Sequence, residues 1–541
     1  MTAFAEHLVV VPIVLPLAAA ALTLLIDERR RSVRAAISFC TTAALLAVAL
    51  SLLVFSSAAG PNEGAATVYT LGDWPAPFGI VLVADRLSTM MLALTSILGL
   101  ATLLFSLARW DRAGPRFHAL FLLLLMGVNG AFLTGDLFNL FVFFEVLLAA
   151  SYGLALHGSG APRVKAGLHY IAINLAASSL FLIGVSIIYG VTGTLNMADL
   201  AQRIPSIADS SRLTFELGCA ILGIAFLVKA GMWPLGFWLP STYSAASAPA
   251  AAIFAILTKV GVYVVVRLSL LLFGVDAGHS SGFGSQWLAI AGMITMVFGT
   301  VGILAARSMS RIAGFCVIVS SGTILTVVGI GGEAALAGAL YYLVSSTLAA
   351  SAFFLLIELL NRARGTTAAA VPPPVFTDEF RDPYEDGTET DEIGVVIPAA
   401  VGLMSGGFIL CALLLAGLPP LSGFVGKFAI MTGVIPPEGD ISPLSWTLIT
   451  ILTVSSFVTL IALVRLGIEV LWTPSNNPLP TVRNVEFAAI AGLLATSVAL
   501  TVEGDLVMRY AGSTSAWLRA PQGYVSAVLG STAQEMTEDA Q

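Results

Sequence analysis

The sequence predicts an all-α polytopic membrane protein with about 14 transmembrane helices. Hydrophobic residues make up 57% of the 541 residues and charged residues only 11%, whereas about a quarter of an ordinary soluble domain is charged. The apolar residues fall in runs of about 20, long enough to cross a ~30 Å hydrocarbon layer as helices. So few charges cannot cover a water-facing surface, which excludes a large soluble enzyme. The basic residues are dispersed, which gives nucleic-acid binding no support.

The apolar runs define fourteen spans in chain order. Their predicted limits are 8–26, 34–56, 84–107, 117–134, 137–156, 167–190, 213–238, 248–272, 285–305, 312–330, 333–360, 394–434, 444–473 and 484–504. The twelfth is too long for one straight helix and contains Gly-Leu-Pro-Pro-Leu-Ser-Gly at 417–423. The seventh contains Pro234 and ends just before Pro240. Because proline removes a backbone donor and obstructs a helix, both spans are predicted to be broken.

These spans divide the chain into four predicted parts. Residues 1–116 carry spans 1–3, 117–272 carry spans 4–8, 285–473 carry spans 9–13, and 484–541 carry the last span and a tail. Within the third part, 361–393 contains a triple proline and an acidic run, which predicts a flexible cytoplasmic loop. The stretch 507–518 is weakly amphipathic and is expected on the membrane surface or on a neighbouring subunit.

Orientation follows from the lysines and arginines between the spans. Loops after odd-numbered spans hold 15 of them and the opposite loops hold 5. Because basic loops stay in the cytoplasm, both termini are expected on the outer side of a bacterial plasma membrane.

The distribution of lysine points to proton chemistry. Of the 25 basic residues, 21 are arginine and 4 are lysine, and three of the lysines (Lys229, Lys259 and Lys427) lie inside apolar spans. A charge at mid-span costs roughly 3 kcal/mol or more, so this placement calls for a reason. Arginine stays protonated at any cellular pH, whereas a buried lysine can lose its proton. The alternative, a lysine that snorkels from a helix end, fits Lys229 and Lys427 better than the central Lys259.

Glu145 is the acidic counterpart, in the middle of span 5 with no basic residue within helical reach. It must be protonated or paired with another span, either in a static salt bridge or as a titrating group, and intramembrane ionisable groups are functional by default. His169 is either a core histidine or a relay member. Asp136 lies near the outer edge of span 5, where water reaches it, and is a further possible relay member. Arg267 lies toward a span end and is expected at the interface.

The segments around these residues closely resemble the D-type component of Mrp-type (Pha or Mnh) multisubunit cation/proton antiporters. The resemblance rests on 135–146 with 150–154, on Lys229 with Pro234 and 237–240, on 257–263, and on 417–428, and it extends over roughly 80–470. It implies fourteen spans with two inverted five-helix repeats and breaks in spans 7 and 12. It also implies an ion pair between Glu145 and Lys229, a linking role for Lys259, and a second half-channel at Lys427. The implied partners are the A, B, C, E, F and G types of subunit, protons, Na⁺ or K⁺, and the lipid bilayer; no cofactor or metal is implied.

Two positions depart from the family pattern. The histidine usual after Pro-Leu in span 7 is Gly236 here, and the span 11 segment 342–347 carries neither histidine nor lysine. The proton path between Lys259 and Lys427 is therefore expected to rely on water and hydroxyls, with Ser345 and Ser346 as possible relay members.

The sequence thus predicts a secondary transporter subunit, not an enzyme, that exchanges inward protons for outward Na⁺ or K⁺. One alternative is a proton-pumping membrane subunit of a complex I-type oxidoreductase or a membrane-bound hydrogenase, because the local chemistry would be nearly the same. Another is a scaffold in which the Lys–Glu pairs only fix helix register.

Overall fold

The computed structural model describes residues 2–58, 66–363, 398–471 and 482–538. Beyond residue 363, the loop predicted at 361–393 lies outside the described residues. Twelve described helices are long and apolar enough to cross a membrane, and two shorter apolar helices occupy predicted spans 4 and 12. Each of the fourteen predicted spans therefore coincides with an apolar helix.

The spanning helices fall into an N-terminal group and two series of five spans. The N-terminal group is α1 (Thr2–Leu25), α2 (Arg31–Ala58) and α3 (Arg86–Ser106). The first series is α4 (Phe117–Leu133), α5 (Leu137–Leu156), α6 (Ala161–Thr192), then, after the short α7 (Met197–Arg203), the broken pair α8 (Asp209–Ala230) and α9 (Trp238–Ala245), and α10 (Ala248–Leu272). The second is α11 (Ser285–Ala305), α12 (Met309–Ile330), α13 (Glu333–Ala363), the broken pair α14 (Pro398–Ala416) and α15 (Ser422–Gly433), and α16 (Pro443–Leu471). Because five is odd, the second series begins on the opposite membrane face, which makes it the inverted counterpart of the first.

Both breaks occur where the sequence predicts them. Helix α8 ends at Gly231, whose φ of +75° suits glycine, and α14 ends at Gly417, with a φ of +74°. Prolines follow in each connecting segment, so the helices cannot continue. Each half thus contains a helix end at membrane depth.

Three helices form the centre of the protein. In their most apolar stretches α10 is wholly buried, and α12 and α13 are nearly so, whereas α1, α2 and α16 bury about a third. A helix that is apolar all round is stable only when it is surrounded by protein or lipid. Lys259 lies on the central helix α10.

One local feature departs from the all-α expectation. A two-stranded antiparallel hairpin, β1 (Thr67–Thr70) paired with β2 (Val81–Ala84), precedes α3. Four-residue strands are too short to give a clear alternation in sequence.

The C-terminal tail packs on this chain. Helix α17 (Asn484–Val502) is followed by α18 (Gly504–Arg519) and α19 (Pro521–Glu538). Trp517 and Leu518 of α18 are buried, and the Ser515 hydroxyl donates to the Glu333 carbonyl at 2.8 Å. The stretch 507–518, expected on the membrane surface or on a neighbouring subunit, therefore packs one face on helices of the same protein.

Candidate functional site

Lys229 occupies the last turn of α8, directly before the first break. Its side chain is buried, and its ammonium lies 5.0 Å from the centre of the Phe144 ring on α5. The Nζ atom has no hydrogen-bond partner among the described residues. A cation near a helix C-terminus and over an aromatic face is stabilised by the helix dipole and the ring quadrupole. These two interactions replace the hydrogen bonds that a buried ammonium normally makes.

Glu145 follows Phe144 on α5 and is half-buried. Its Oε1 atom also lacks a hydrogen-bond partner in the described part of the chain. No ion pair within 4.0 Å joins it to Lys229, so the direct ion pair that the resemblance implies is not formed in this structure. The aromatic ring of Phe144 takes the place of the carboxylate beside the ammonium. Lys229 and Glu145 thus each have a buried polar atom without a hydrogen-bond partner among the described residues, on two adjacent helices. In such a low-dielectric position, the energy of each group depends strongly on nearby charges.

Helix α10 touches the end of α8 through its backbone. A Cβ atom added at Gly261 would lie 2.8 Å from the Ala230 nitrogen and 3.1 Å from the Lys229 carbonyl carbon. Only glycine allows two helices to approach so closely here. Lys259 is two residues from Gly261 on α10, and Lys229 directly precedes Ala230 on α8, so this contact lies close to both lysines along the chain.

Lys259 is almost completely buried and is bound by two hydroxyls of α12. Its Nζ donates to Ser320 Oγ and, at 3.2 Å, to Ser321 Oγ. Since α12 belongs to the second series, Lys259 joins the two halves, in line with the linking role that the resemblance implies. That role itself stays a prediction.

Lys427 lies on α15, just after the second break, and closes the C-terminus of α14. Its Nζ donates to the Ala416 carbonyl at 2.9 Å and to Ser456 Oγ at 2.8 Å. The final carbonyls of a helix lack partners within the helix, and a cation suits that end of the dipole. In the second half, Lys427 therefore binds a backbone carbonyl that the break leaves without a partner within the helix.

A small cavity adjoins Lys427. Its lining includes Cys316, Tyr342, Ser346 and Thr459. It leaves about 10 Å³ for the centre of a water molecule, which is about the minimum for one water. The predicted relay residue Ser346 thus lies beside Lys427, and Ser345 pairs with Ser422 at the start of α15 at 2.8 Å.

The other two predicted relay residues are not brought to the lysines. His169 is exposed on α6, where its ring nitrogen Nδ1 lies 3.0 Å from the Lys165 carbonyl. Asp136 caps α5, accepting from the Asn139 backbone N–H at 2.8 Å, and burial raises the pKa of its carboxyl. Neither contact involves one of the buried lysines, and the relay role of both residues stays a prediction.

Three features of the site were missed from the sequence. Ser320 and Ser321 stand in an apolar span in a Ser-Ser-Gly-Thr run, which was the available signal. Ser456 stands in a similar Ser-Ser pair, at 455–456 of span 13. The third is a buried ion pair between Asp85 and Arg267, whose guanidinium binds both carboxylate oxygens at 2.5 and 2.7 Å. Arg267, expected at the interface because it lies toward a span end, is thus buried within the protein near the end of α10.

Comparison with known families matches residues 134–461 to the family described as "NADH:quinone oxidoreductase/Mrp antiporter, TM". The chain belongs to this family. Within the NADH:quinone oxidoreductase/Mrp antiporter family it is 52% identical, over 98% of both chains, to the D-type component of a probable K⁺/H⁺ antiporter of Rhizobium meliloti (strain 1021). It is 34% identical to the D-type component of a Na⁺/H⁺ antiporter of Bacillus subtilis (strain 168), over 97% of this chain and 99% of the relative.

Solved structures show the same relationship. A chain of the Mrp complex from Dietzia sp. DQ12-45-1b superposes with a TM-score of 0.79 and 25% identity, covering 98% of this chain and 100% of that one. A chain of respiratory complex I from Thermus thermophilus shares the fold at a TM-score of 0.73 and 20% identity, covering 95% of this chain and 99% of that one. The antiporter subunit fold of the family is thus present along nearly the whole chain.

Proposed function

We propose that the protein is the D-type, proton-translocating subunit of a multisubunit monovalent cation/proton antiporter. The observation that supports this most strongly is the set of three buried lysines, each at a helix break or at the contact between the two halves. Relatives matched over nearly their full length are named as the D-type components of Na⁺/H⁺ or K⁺/H⁺ antiporters. Its partners would be the other subunits of such a complex, of types A, B, C, E, F and G.

In this proposal protons move inward and Na⁺ or K⁺ moves outward. The membrane is the bacterial plasma membrane, with both termini outside, as the excess of basic residues in the odd-numbered loops favours. A membrane potential supplies about 2.3 kcal/mol per charge per 100 mV, so inward protons can drive electrogenic export of the cation.

Charge coupling between the lysines provides the mechanism. When Lys259 is charged, a second charge on Lys229 is disfavoured, because both ammonium groups are buried from water. Lys229 and Glu145 then keep the unpaired arrangement of this structure, in which Lys259 donates to its two serines. When Lys259 passes its proton on, Lys229 can hold its own charge, and Glu145 moves toward it to form the ion pair. The contact at Gly261 transmits small shifts between the two helices.

The test is ΔpH-driven exchange in everted vesicles that contain the complete complex, with Na⁺ or K⁺ added. Glu145→Gln keeps the shape and removes the titrating group, so we expect exchange to be lost while assembly stays intact. Asp209→Asn is the control, because it neutralises an exposed carboxyl at the start of α8 that pairs with Arg212 on the same helix. Normal exchange by Glu145→Gln would contradict the role of the carboxylate. Proton pumping that depends on a redox substrate and not on the cation would favour the oxidoreductase alternative.

A further inference from the structure

One face of α12 connects Lys259 with the cavity beside Lys427. Ser320 accepts a hydrogen bond from Lys259. Cys316 precedes Ser320 by four residues, so the two side chains share a face of the helix. Cys316 lines the cavity that also contains the Lys427 side chain. A single helical turn therefore separates a ligand of the first lysine from the wall around the second.

We propose that Ser320 and Ser321 are positioning residues that hold Lys259 toward the second half and let it release its proton to Lys427. The proposal rests on the antiporter function above and deepens it. In this proposal α12 carries the proton connection between Lys259 and Lys427. The family pattern would instead place a histidine or lysine for this connection on α13.

The chemistry of a hydroxyl suits this role, because a hydroxyl oxygen accepts from an ammonium and its O–H donates to a neutral amine. Ser321 accepts from Lys259, and within the described residues its own proton has no acceptor. As a donor, the Ser320 hydroxyl makes only a long hydrogen bond of 3.3 Å to the Val317 carbonyl. Both groups can thus reverse direction when Lys259 loses its charge. A carboxylate in their place would favour the charged form alone.

The proton transfer balances without another reactant. The Nζ–H bond of charged Lys259 breaks and its electron pair stays on nitrogen. The proton leaves along the face of α12 between Ser320 and Cys316, reaches a water molecule in the cavity that Cys316 lines, and passes from that water to the neutral Nζ of Lys427. The Ser321 O–H then turns to the lone pair on Lys259.

No other ionisable group competes for Lys259 within the described ranges. Besides the pair of Arg267 with Asp85, the elements packed against α10 carry these ionisable groups: Arg86 on α3, His118 on α4, Glu145 on α5, Asp199 and Arg203 on α7, Asp209, Arg212, Glu216 and Lys229 on α8, Arg311 on α12, Glu333, Glu358 and Arg362 on α13, and Asp505, Arg509 and Arg519 on α18. None of these described groups forms an ion pair with Lys259.

The experiment compares Ser320→Ala/Ser321→Ala with Ser351→Ala in the complete complex. Ser351 is a matched control, because it is a buried serine on the adjacent α13 whose hydroxyl has no partner among the described residues. Exchange is measured in everted vesicles as a function of pH, and assembly by the amount of complex in the membrane. Removing hydrogen bonds to an ammonium weakens proton binding roughly tenfold, so half-maximal exchange should move about one pH unit toward acid. The control should keep the native profile.

Conservative variants separate positioning from folding. Ser320→Thr/Ser321→Thr keeps both hydroxyls and should retain the native pH profile, even if the double alanine variant assembles poorly. A native rate and profile in the double alanine variant would overturn the proposal, as would a threonine variant that assembles normally but shows the acid shift. If these outcomes occur while Glu145→Gln still abolishes exchange, only the α12 assignment fails. A native complex without any exchange would instead refute the proposed function.

Discussion

The buried pair of Asp85 and Arg267 offers a prediction about stability. Asp85 is fully buried directly before α3, and Arg267 lies near the end of α10. Besides the two bonds from the guanidinium, the carboxylate accepts from the Trp517 indole N–H at 3.2 Å and from the Ser88 backbone N–H at 2.9 Å. The pair therefore holds α3, α10 and the tail helix α18 together. We expect Asp85→Ala to loosen all three.

The expected loss of stability in Asp85→Ala follows from the burial of the ion pair. Removing one partner of a buried ion pair strands the other charge, which costs about 3–5 kcal/mol. The pair between Arg509 and Asp505 is the matched control, because its N–O distance is a normal 3.2 Å but its side chains are 72% and 82% exposed. Such exposed pairs contribute about 0–1 kcal/mol. Asp505→Ala should therefore leave thermal stability nearly unchanged.

The pH dependence gives a second check. Burial tends to raise the pKa of Asp85, but the Arg267 guanidinium and the hydrogen bonds from Ser88 more than offset this and hold the pKa below its ordinary value. A lowered carboxyl pKa gives stability that is fully present above the unfolded value of about 3.9 and is lost only as the pH falls through the folded value. The difference between Asp85→Ala and the native protein should therefore be constant from about pH 5 to 8.

The assay is thermal unfolding of the detergent-solubilised protein for Asp85→Ala, Arg267→Met and the double variant. The double variant should lose clearly less than the sum of the two single losses, because it leaves no stranded charge. Strict additivity, or an Asp85→Ala loss no larger than that of Asp505→Ala, would refute the reasoning.

Two further predictions concern α10. Lys259→Arg keeps the charge but cannot deprotonate, so its exchange should be nearly as low as that of Lys259→Ala across the pH range, and near-native turnover would exclude a proton-cycling role. Gly261→Ala places a Cβ 2.8 Å from the Ala230 nitrogen, so we expect it to cost about 1–3 kcal/mol of stability and to slow exchange. Gly223→Ala on α8 is the control, because its Cβ meets nothing within 4 Å, and it should be the more stable variant in thermal unfolding.

The spans and their breaks could be predicted because the signals are local. A run of about 20 apolar residues has few alternatives to a membrane helix. Proline and glycine end a helix through their own backbone chemistry, so both breaks were placed correctly from Pro234 and the segment 417–423. The same reasoning correctly placed Lys229 and Lys427 beside the helix ends at the two breaks.

The partners of the buried groups could not be predicted, because tertiary packing sets them. Lys259 meets hydroxyls 61 and 62 residues away, and Asp85 meets an arginine 182 residues away. No periodicity links such positions. For His169, an intramembrane position could not reveal that the side chain lies on the exposed side of α6.

The contrast between buried arginines and buried lysines supports a division of labour. Arg267 and Arg362 each bind a carboxylate, at Asp85 and Glu486, and lie toward helix ends, whereas the buried Arg86 at the start of α3 donates to the Ser57 carbonyl. The three intramembrane lysines bind an aromatic ring, two hydroxyls, and a carbonyl with a hydroxyl, and none has a carboxylate within 4.0 Å in the described residues. A lysine that loses its proton beside a carboxylate would leave that carboxylate unpaired, whereas rings, hydroxyls and carbonyls tolerate both charge states. Arg267 and Arg362, which stay charged, are therefore paired with carboxylates where helices are held together. The three lysines, which can lose their charge, lie beside neutral groups that tolerate both charge states.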